Sequence, residues 1–347
     1  ALRREEDTAA LDLDRRLGVR AEGLDVERRE ILLAGGARLA YDGLVIATGA
    51  TPRPLPGQPP LRRVFTLRTL DDSLALRDAL AAAHSVVVIG AGFIGLEVAA
   101  TARGHGAEVT VVEALPAPLI RGLGLEMGGA ATLVHGDHGV VIRTGVGVAA
   151  LEGAEGVERV VLADGTLLPA DVVVVGIGVV PNTSWLAGSP LELRDGIVCD
   201  ETLAAGPPGV YAAGDVARWP HALLGEEVRI EHWTNAAEQG EAAASNLLAH
   251  LSGQAGTPFG TVPFFWSDQF EARIQFLGRA QDGDDVQVVH GSPEERRFVA
   301  LYGRGGRLTA ALGVSQPRLV MPYRNLLANR VSWDEAIAFA AGQATRS

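Results

Sequence analysis

The chain of 347 residues contains no lysine; all thirty of its basic residues are arginine. A lysine base or a lysine Schiff base is therefore excluded from it. Cysteine occurs once, at Cys199, so no intrachain disulfide, Cys-x-x-Cys redox pair or cysteine zinc cluster can form within these residues. No apolar run approaches the ~20 residues of a bilayer-spanning helix, and the stretch around Val172–Val175 falls well short. The opening residues carry charge throughout (Arg3, Arg4, Glu5, Glu6, Asp7) and lack the apolar core of a secretory signal, which leads to the expectation of a cytoplasmic protein. Positive charge is scarce where nucleic acid would need it. The net charge is −12, and residues 65–260 hold nine arginines against twenty-three acids, which excludes a nucleic-acid partner.

What is present is an ordinary globular composition, 47% hydrophobic and 21% charged, in a chain long enough for two or three units. From Leu39 to Ala50 an apolar strand runs into a glycine turn, and Pro52, Pro54 and Pro56 then forbid a helix. Thr69, Asp71 and Asp72 are spaced to cap a helix that ends at Leu80. Beyond it strand and helix alternate: strand Val86–Ile89, helix Gly92–Gly104, strand Val109–Val112, helix Leu123–Asp137 and strand Val140–Thr144. That order implies a parallel, doubly wound sheet. Residues 162–167 read as a hairpin tip, and Val172–Gly176 as a fully buried strand. A long helix is expected over Asn235–His250. The final eighty-odd residues alternate like an antiparallel sheet (Ile274–Leu277, Val286–His290, Phe298–Tyr302, Leu308–Val314) and end in helix.

Gly90-Ala91-Gly92-Phe93-Ile94-Gly95 follows the buried strand and opens a helix, the context in which this spacing cradles a dinucleotide. Gly90 permits the tight turn, Gly92 admits a pyrophosphate, and Gly95 lets helix and strand approach. The helix N-terminus supplies unsatisfied N–H groups and a favourable dipole. Glu113 closes the next strand about 20 residues on, where an acid bonds the adenosine ribose and repels a 2′-phosphate, so NADH is expected over NADPH. His84, His135 and His138 have no ligand spacing with acids, and no metal is expected.

With Ala47-Thr48-Gly49, this glycine turn, Gly176-Ile-Gly178 and Val210-Tyr-Ala-Ala-Gly-Asp215 in that order, the chain resembles the pyridine nucleotide-disulfide reductase superfamily. Glu231-His-Trp-Thr-Asn-Ala, Pro263-Phe-Phe-Trp-Ser-Asp-Gln and Arg273-Ile-Gln-Phe-Leu-Gly are similar to the FAD-dependent ferredoxin reductases that serve Rieske dioxygenases and bacterial cytochromes P450. The resemblance implies an α/β fold of two Rossmann-like dinucleotide-binding domains and a C-terminal α+β domain with an antiparallel sheet. The expected boundaries are 1–64 with 187–260 for FAD, 65–186 for NAD and 261–347 for the C-terminal unit. It implies FAD and NAD as cofactors and a ferredoxin, an iron–sulfur protein, as electron acceptor. It also implies that Gly214, Asp215 and Glu231 lie at the FAD, that Thr48, Gly49 and Arg53 form a turn beside it, and that Trp233 and Trp266 cover the isoalloxazine. Gly176 and Gly178 would let the nicotinamide lie against backbone. Glu97 matches an acid that bonds the nicotinamide carboxamide, although a first-turn Glu is equally favoured by the helix dipole alone. Trp266 precedes Ser267-Asp268-Gln269, a polar group not expected to be buried for packing alone. Arg318, Arg324 and Arg330 could form a docking surface for an acidic partner.

The resemblance further implies a first strand, glycine turn and helix for the ADP half of FAD. The opening Leu2–Asp7 corresponds to a region downstream of that unit of roughly 30 residues or more, so the sequence as it stands is expected to bind FAD weakly. Two other readings stay open: an NADH oxidase or peroxidase, and a non-catalytic NADH-binding protein like apoptosis-inducing factor.

Overall fold

The structure is a computed structural model, and it describes residue 6 and residues 9–344. The opening segment Leu2–Asp7 therefore lies, except for Glu6, outside the described residues. The centre of the chain folds as a five-stranded, all-parallel sheet in the order Val64–Phe65, Val172–Val175, Ser85–Ile89, Glu108–Val112, Val141–Arg143. All four valines of Val172–Val175 are buried, as a strand covered on both faces requires. The helix Leu70–Leu80 leads into this sheet and begins as its sequence dictates. The Thr69 hydroxyl accepts from the Asp72 amide, and the Asp72 carboxylate accepts in return from Thr69. A meander of Val148–Glu152, Arg159–Leu162 and Leu167–Pro169 stands beside the sheet, with the expected hairpin between its second and third strands.

The single helix expected over Leu123–Asp137 is three short ones, Ile120–Leu123, Leu125–Ala131 and Leu133–Asp137. Gly124, at φ 77°, ends the first and caps the second, a conformation that breaks the helix and that glycine adopts without a Cβ penalty.

The flanking segments pack around a second core. There the strand Leu44–Ile46 runs parallel to Val210–Ala212, and Trp219, Tyr211 and Ile197 are buried beside them. Helix Trp233–Leu251 covers this core. The C-terminal part is a five-stranded antiparallel sheet in the order Phe264–Gln269, Ala272–Gly278, Arg307–Val314, Arg297–Arg304, Asp285–Ser292. Helices Tyr323–Ala328 and Trp333–Ala344 close it. The fold is thus α/β with a parallel sheet, completed by an antiparallel-sheet unit. The two are not separate cores: Phe276, Phe298 and Leu312 of the antiparallel sheet belong to the same buried cluster as Val88, Leu96 and Val174 of the parallel one. Tyr302 adds a hydrogen bond from its hydroxyl to the Leu123 carbonyl at 2.8 Å.

Candidate functional site

Each glycine of the 90–95 turn has its own physical reason. Gly90 sits at φ 103°, and a Cβ there would lie 2.4 Å from the Gly176 carbonyl oxygen, so neither the angle nor the neighbour admits a side chain. A Cβ on Gly95 would lie 2.1 Å from the Gly90 oxygen; its absence lets the helix Phe93–Gly104 sit against the strand. Gly92, the helix N-cap, makes no side-chain cap bond and has nothing within 4 Å of a would-be Cβ, which leaves an open cradle at the first-turn amides. The Glu113 carboxylate folds back into this turn. Its oxygens accept from the amides of Ala91 at 2.8 Å and Leu115 at 2.9 Å, and each keeps a second acceptor position for a hydroxyl group. Ile94 is exposed, whereas the Phe93 ring packs edge-on against Phe265 at 4.7 Å.

A second group of predicted residues converges from distant parts of the chain. The Thr48 hydroxyl donates to the Asn182 carbonyl at 2.9 Å, and the Asn182 side-chain amide donates to the Thr48 carbonyl at 2.8 Å. Gly49, at φ 65°, lies against the Arg68 guanidinium, which pairs at 2.9 Å with Asp215. Gly214 donates its amide to Gln239 at 2.8 Å, and Arg229 binds both the Asp215 carbonyl at 3.1 Å and Glu231 at 2.6 Å. The amide of Arg53 donates to the Gly178 carbonyl at 2.8 Å, which joins the two turns. Asn182, Arg68, Gln239 and Arg229 were invisible to motif reading, because each is recruited by tertiary contact.

Trp233 and Trp266 are 58% and 41% exposed, large fractions for indoles, and their rings meet edge to face at 6.2 Å and 72°. Nearby, the Gln239 side-chain nitrogen and His232 Nδ1 are buried without a hydrogen-bond partner. Exposed flat rings, one of them opening the helix whose Gln239 bonds the Gly214–Asp215 turn, suit a ligand with an aromatic ring system and a hydroxylated chain, so the residues present fit a flavin. The open glycine cradle and Glu113 fit the adenine half of a dinucleotide.

Glu97 accepts from the Ser267 hydroxyl at 2.5 Å, and its burial pushes the carboxyl above the usual carboxylate range. It borders an open cavity of about 480 Å³ with Ala100, Thr101, Trp266, Asp268 and Phe270. Strand alternation turns Ser267 and Gln269 inward, to 1% and 0% exposure, and only Trp266 and Asp268 face out. The arginine docking surface is also largely spent within the chain. Arg324 pairs with Glu238 at 3.1 Å, and Arg330 donates to the Ala222 carbonyl. No group of His, Cys, Asp and Glu able to hold a metal occurs among the described residues.

The model of the pyridine nucleotide-disulphide oxidoreductase family matches residues 5–240, and that of the reductase C-terminal family matches residues 264–347. Rhodocoxin reductase of Rhodococcus erythropolis is 40% identical over 311 residues, 89% of this chain and 71% of the relative. The ferredoxin–NAD(+) reductase component of the anthranilate 1,2-dioxygenase system of Burkholderia cepacia is 36% identical, over 93% of this chain and 79% of the relative. The crystal structure of the covalent putidaredoxin reductase–putidaredoxin complex superposes with a TM-score of 0.89 at 34% identity, covering 95% of this chain and 80% of that one.

Proposed function

This chain belongs to the pyridine nucleotide-disulphide oxidoreductase family and ends in a reductase C-terminal unit, and on that premise we propose that it is a flavoprotein reductase that passes electrons from NADH through FAD to a ferredoxin-type iron–sulfur protein of an oxygenase system. Relatives named for that activity match it along most of their length. The observation that carries the assignment is local: the helix that opens at the glycine cradle also carries Glu97, which accepts from Ser267 and shares a cavity with Trp266, one of two exposed, edge-to-face indoles from separate elements.

Bound FAD supplies the conversion of a hydride's two electrons into single-electron transfers, and the protein supplies orientation and shielding. Gly90, Gly92, Phe93, Ile94 and Gly95 form the coenzyme turn, Glu113 holds the ribose, and Gly176 and Gly178 leave room for the nicotinamide. Asp215, fixed by Arg68, receives the ribityl hydroxyls. Thr48, Gly49 and Arg53 line the adjacent turn, Gly214 and Glu231 shape the loop that carries Asp215, and Trp233 and Trp266 exclude water from the ring. Residues 1–64 with 187–260 serve the flavin, 65–186 the nicotinamide coenzyme, and 261–347 the cover. No helix among the described residues is long and apolar enough to cross a membrane, and the cytoplasm is the proposed site of action.

The test is cytochrome c reduction by the purified protein with FAD and NADH, with and without an added [2Fe–2S] ferredoxin. Ferredoxin-dependent turnover supports the assignment. Rapid NADH consumption with oxygen alone points to an oxidase, and cofactor binding with negligible turnover to a non-catalytic coenzyme-binding protein.

A further inference from the structure

Behind Glu97 a row of buried polar side chains crosses from the antiparallel sheet into the parallel-sheet unit. Ser267 Oγ lies 2.5 Å from Glu97 Oε1, Gln269 Nε2 lies 3.0 Å from Ser267 Oγ, and Gln269 Oε1 lies 2.8 Å from His135 Nε2. His135 and Gln269 are fully buried and Ser267 nearly so. Side chains of this kind are costly in a core unless each is satisfied.

The direction of the row follows from the donor inventory. An amide nitrogen only donates and an amide oxygen only accepts. Gln269 therefore receives the His135 Nε2–H and gives its own N–H to Ser267, and the single hydroxyl proton of Ser267 is left for Glu97. His135 Nδ1 has no partner, and burial holds the ring's pKa below its usual range, so the imidazole stays neutral with its proton on Nε2. Three donors from two elements, the helix Leu133–Asp137 and the strand Phe264–Gln269, thus point the same way and end on one oxygen of one carboxylate. Among the described residues no donor engages the other oxygen, Oε2. The charged neighbour of Glu97 is Asp268, which is tied at 2.8 Å to Arg273.

We infer that Ser267, Gln269 and His135 are positioning residues for Glu97: the row clamps Oε1 so that Oε2 is presented, as an acceptor, to the carboxamide N–H of the nicotinamide. This rests on the NADH assignment and on Glu97 lying at the nicotinamide end. It gives the buried polar residues of the Trp-Ser-Asp-Gln stretch a task distinct from covering a ring, and makes the C-terminal sheet part of the coenzyme site.

The experiment compares two ligands by calorimetric titration of the purified protein: NADH, and ADP-ribose, which lacks the nicotinamide. Ser267→Ala deletes the last donor. Gln269→Glu is nearly isosteric, and a carboxylate at that position competes for the Ser267 proton and reverses the row. Each variant is expected to weaken NADH about five- to tenfold, the size of one ordinary hydrogen bond's net contribution, and to leave ADP-ribose within about twofold. Unchanged NADH affinity in both variants overturns the inference and leaves the coenzyme assignment standing. Equal loss of both ligands makes the row merely structural and overturns it as well. A parent protein that binds neither ligand sinks the NADH assignment itself.

Discussion

Alanine at each of two glycines in the same turn should give opposite phenotypes. At Gly95 the new Cβ would sit 2.1 Å from a backbone oxygen, far inside the 3.0 Å that real Cβ contacts respect, and backbone cannot rotate aside as a side chain can. The helix must lift from the strand, and overpacking of this kind costs about 1–3 kcal/mol or more. At about 2–4 °C per kcal/mol for a unit of this size, Gly95→Ala should lower the unfolding temperature by roughly 3–10 °C. At Gly92 the backbone is already extended, at φ −79° and ψ 177°, and a Cβ meets nothing within 4 Å. Replacing an N-cap glycine by alanine costs no more than about 1 kcal/mol, so Gly92→Ala should unfold within about 4 °C of the parent. Its methyl group, however, projects into the cradle where the pyrophosphate must approach, and NADH affinity should fall more than about tenfold. Scanning calorimetry and NADH titration measure the two effects separately. The reasoning fails if Gly92→Ala binds NADH like the parent, or if Gly95→Ala unfolds at the parent's temperature.

Other outcomes follow from groups that burial has perturbed. His232 is pushed down to about 4 from its ordinary 6.5 by desolvation. The unfolded chain therefore takes up a proton near pH 6.5 that the folded ring refuses until about pH 4, and stability present above pH 6.5 drains away as the pH falls between those values. The loss is at most about 3 kcal/mol, with His135 and His221, shifted the same way, adding to it. Urea titrations at pH 7 and pH 4.5 should show this slope, and His232→Leu should reduce it; an unchanged slope in the variant refutes the assignment to His232. The Cys199 thiol, buried and pushed up to about 12, should resist iodoacetamide in the native protein and take up one label per chain in denaturant, as mass spectrometry would reveal. Arg68→Met strands the largely buried Asp215 carboxylate and is expected to weaken FAD at least about tenfold without altering NADH affinity, read by flavin fluorescence on dilution.

The parallel sheet and its glycine turn could be read from the sequence because their determinants are local. Gly95 excludes a side chain on account of Gly90, and Thr69 caps against Asp72, each within one turn of chain. The same reading broke down wherever the reason lies elsewhere in the molecule. Arg68 reaches Asp215, Gly90 yields to Gly176, and Asn182 braces Thr48; no periodicity carries such pairings. That Ser267 and Gln269 turn inward while Trp266 and Asp268 face out is decided by the pleat of the strand, which residue type alone does not reveal. The apolar spacing of residues 123–137 is that of one helix, but Gly124 turns left-handed at its start and the backbone leaves the helix again at Thr132, at φ −102° and ψ 3°, neither of which spacing encodes.

The continuous core under both sheets bears on how this protein can be re-engineered. Exchanging the tail for that of a relative, in the hope of changing the redox partner, means cutting through the packing that joins Phe276 and Leu312 to Val88 and Leu96. A graft that brings along the helix Phe93–Gly104 and its strand should fold, whereas a bare tail transplant should leave a raw apolar face on both halves.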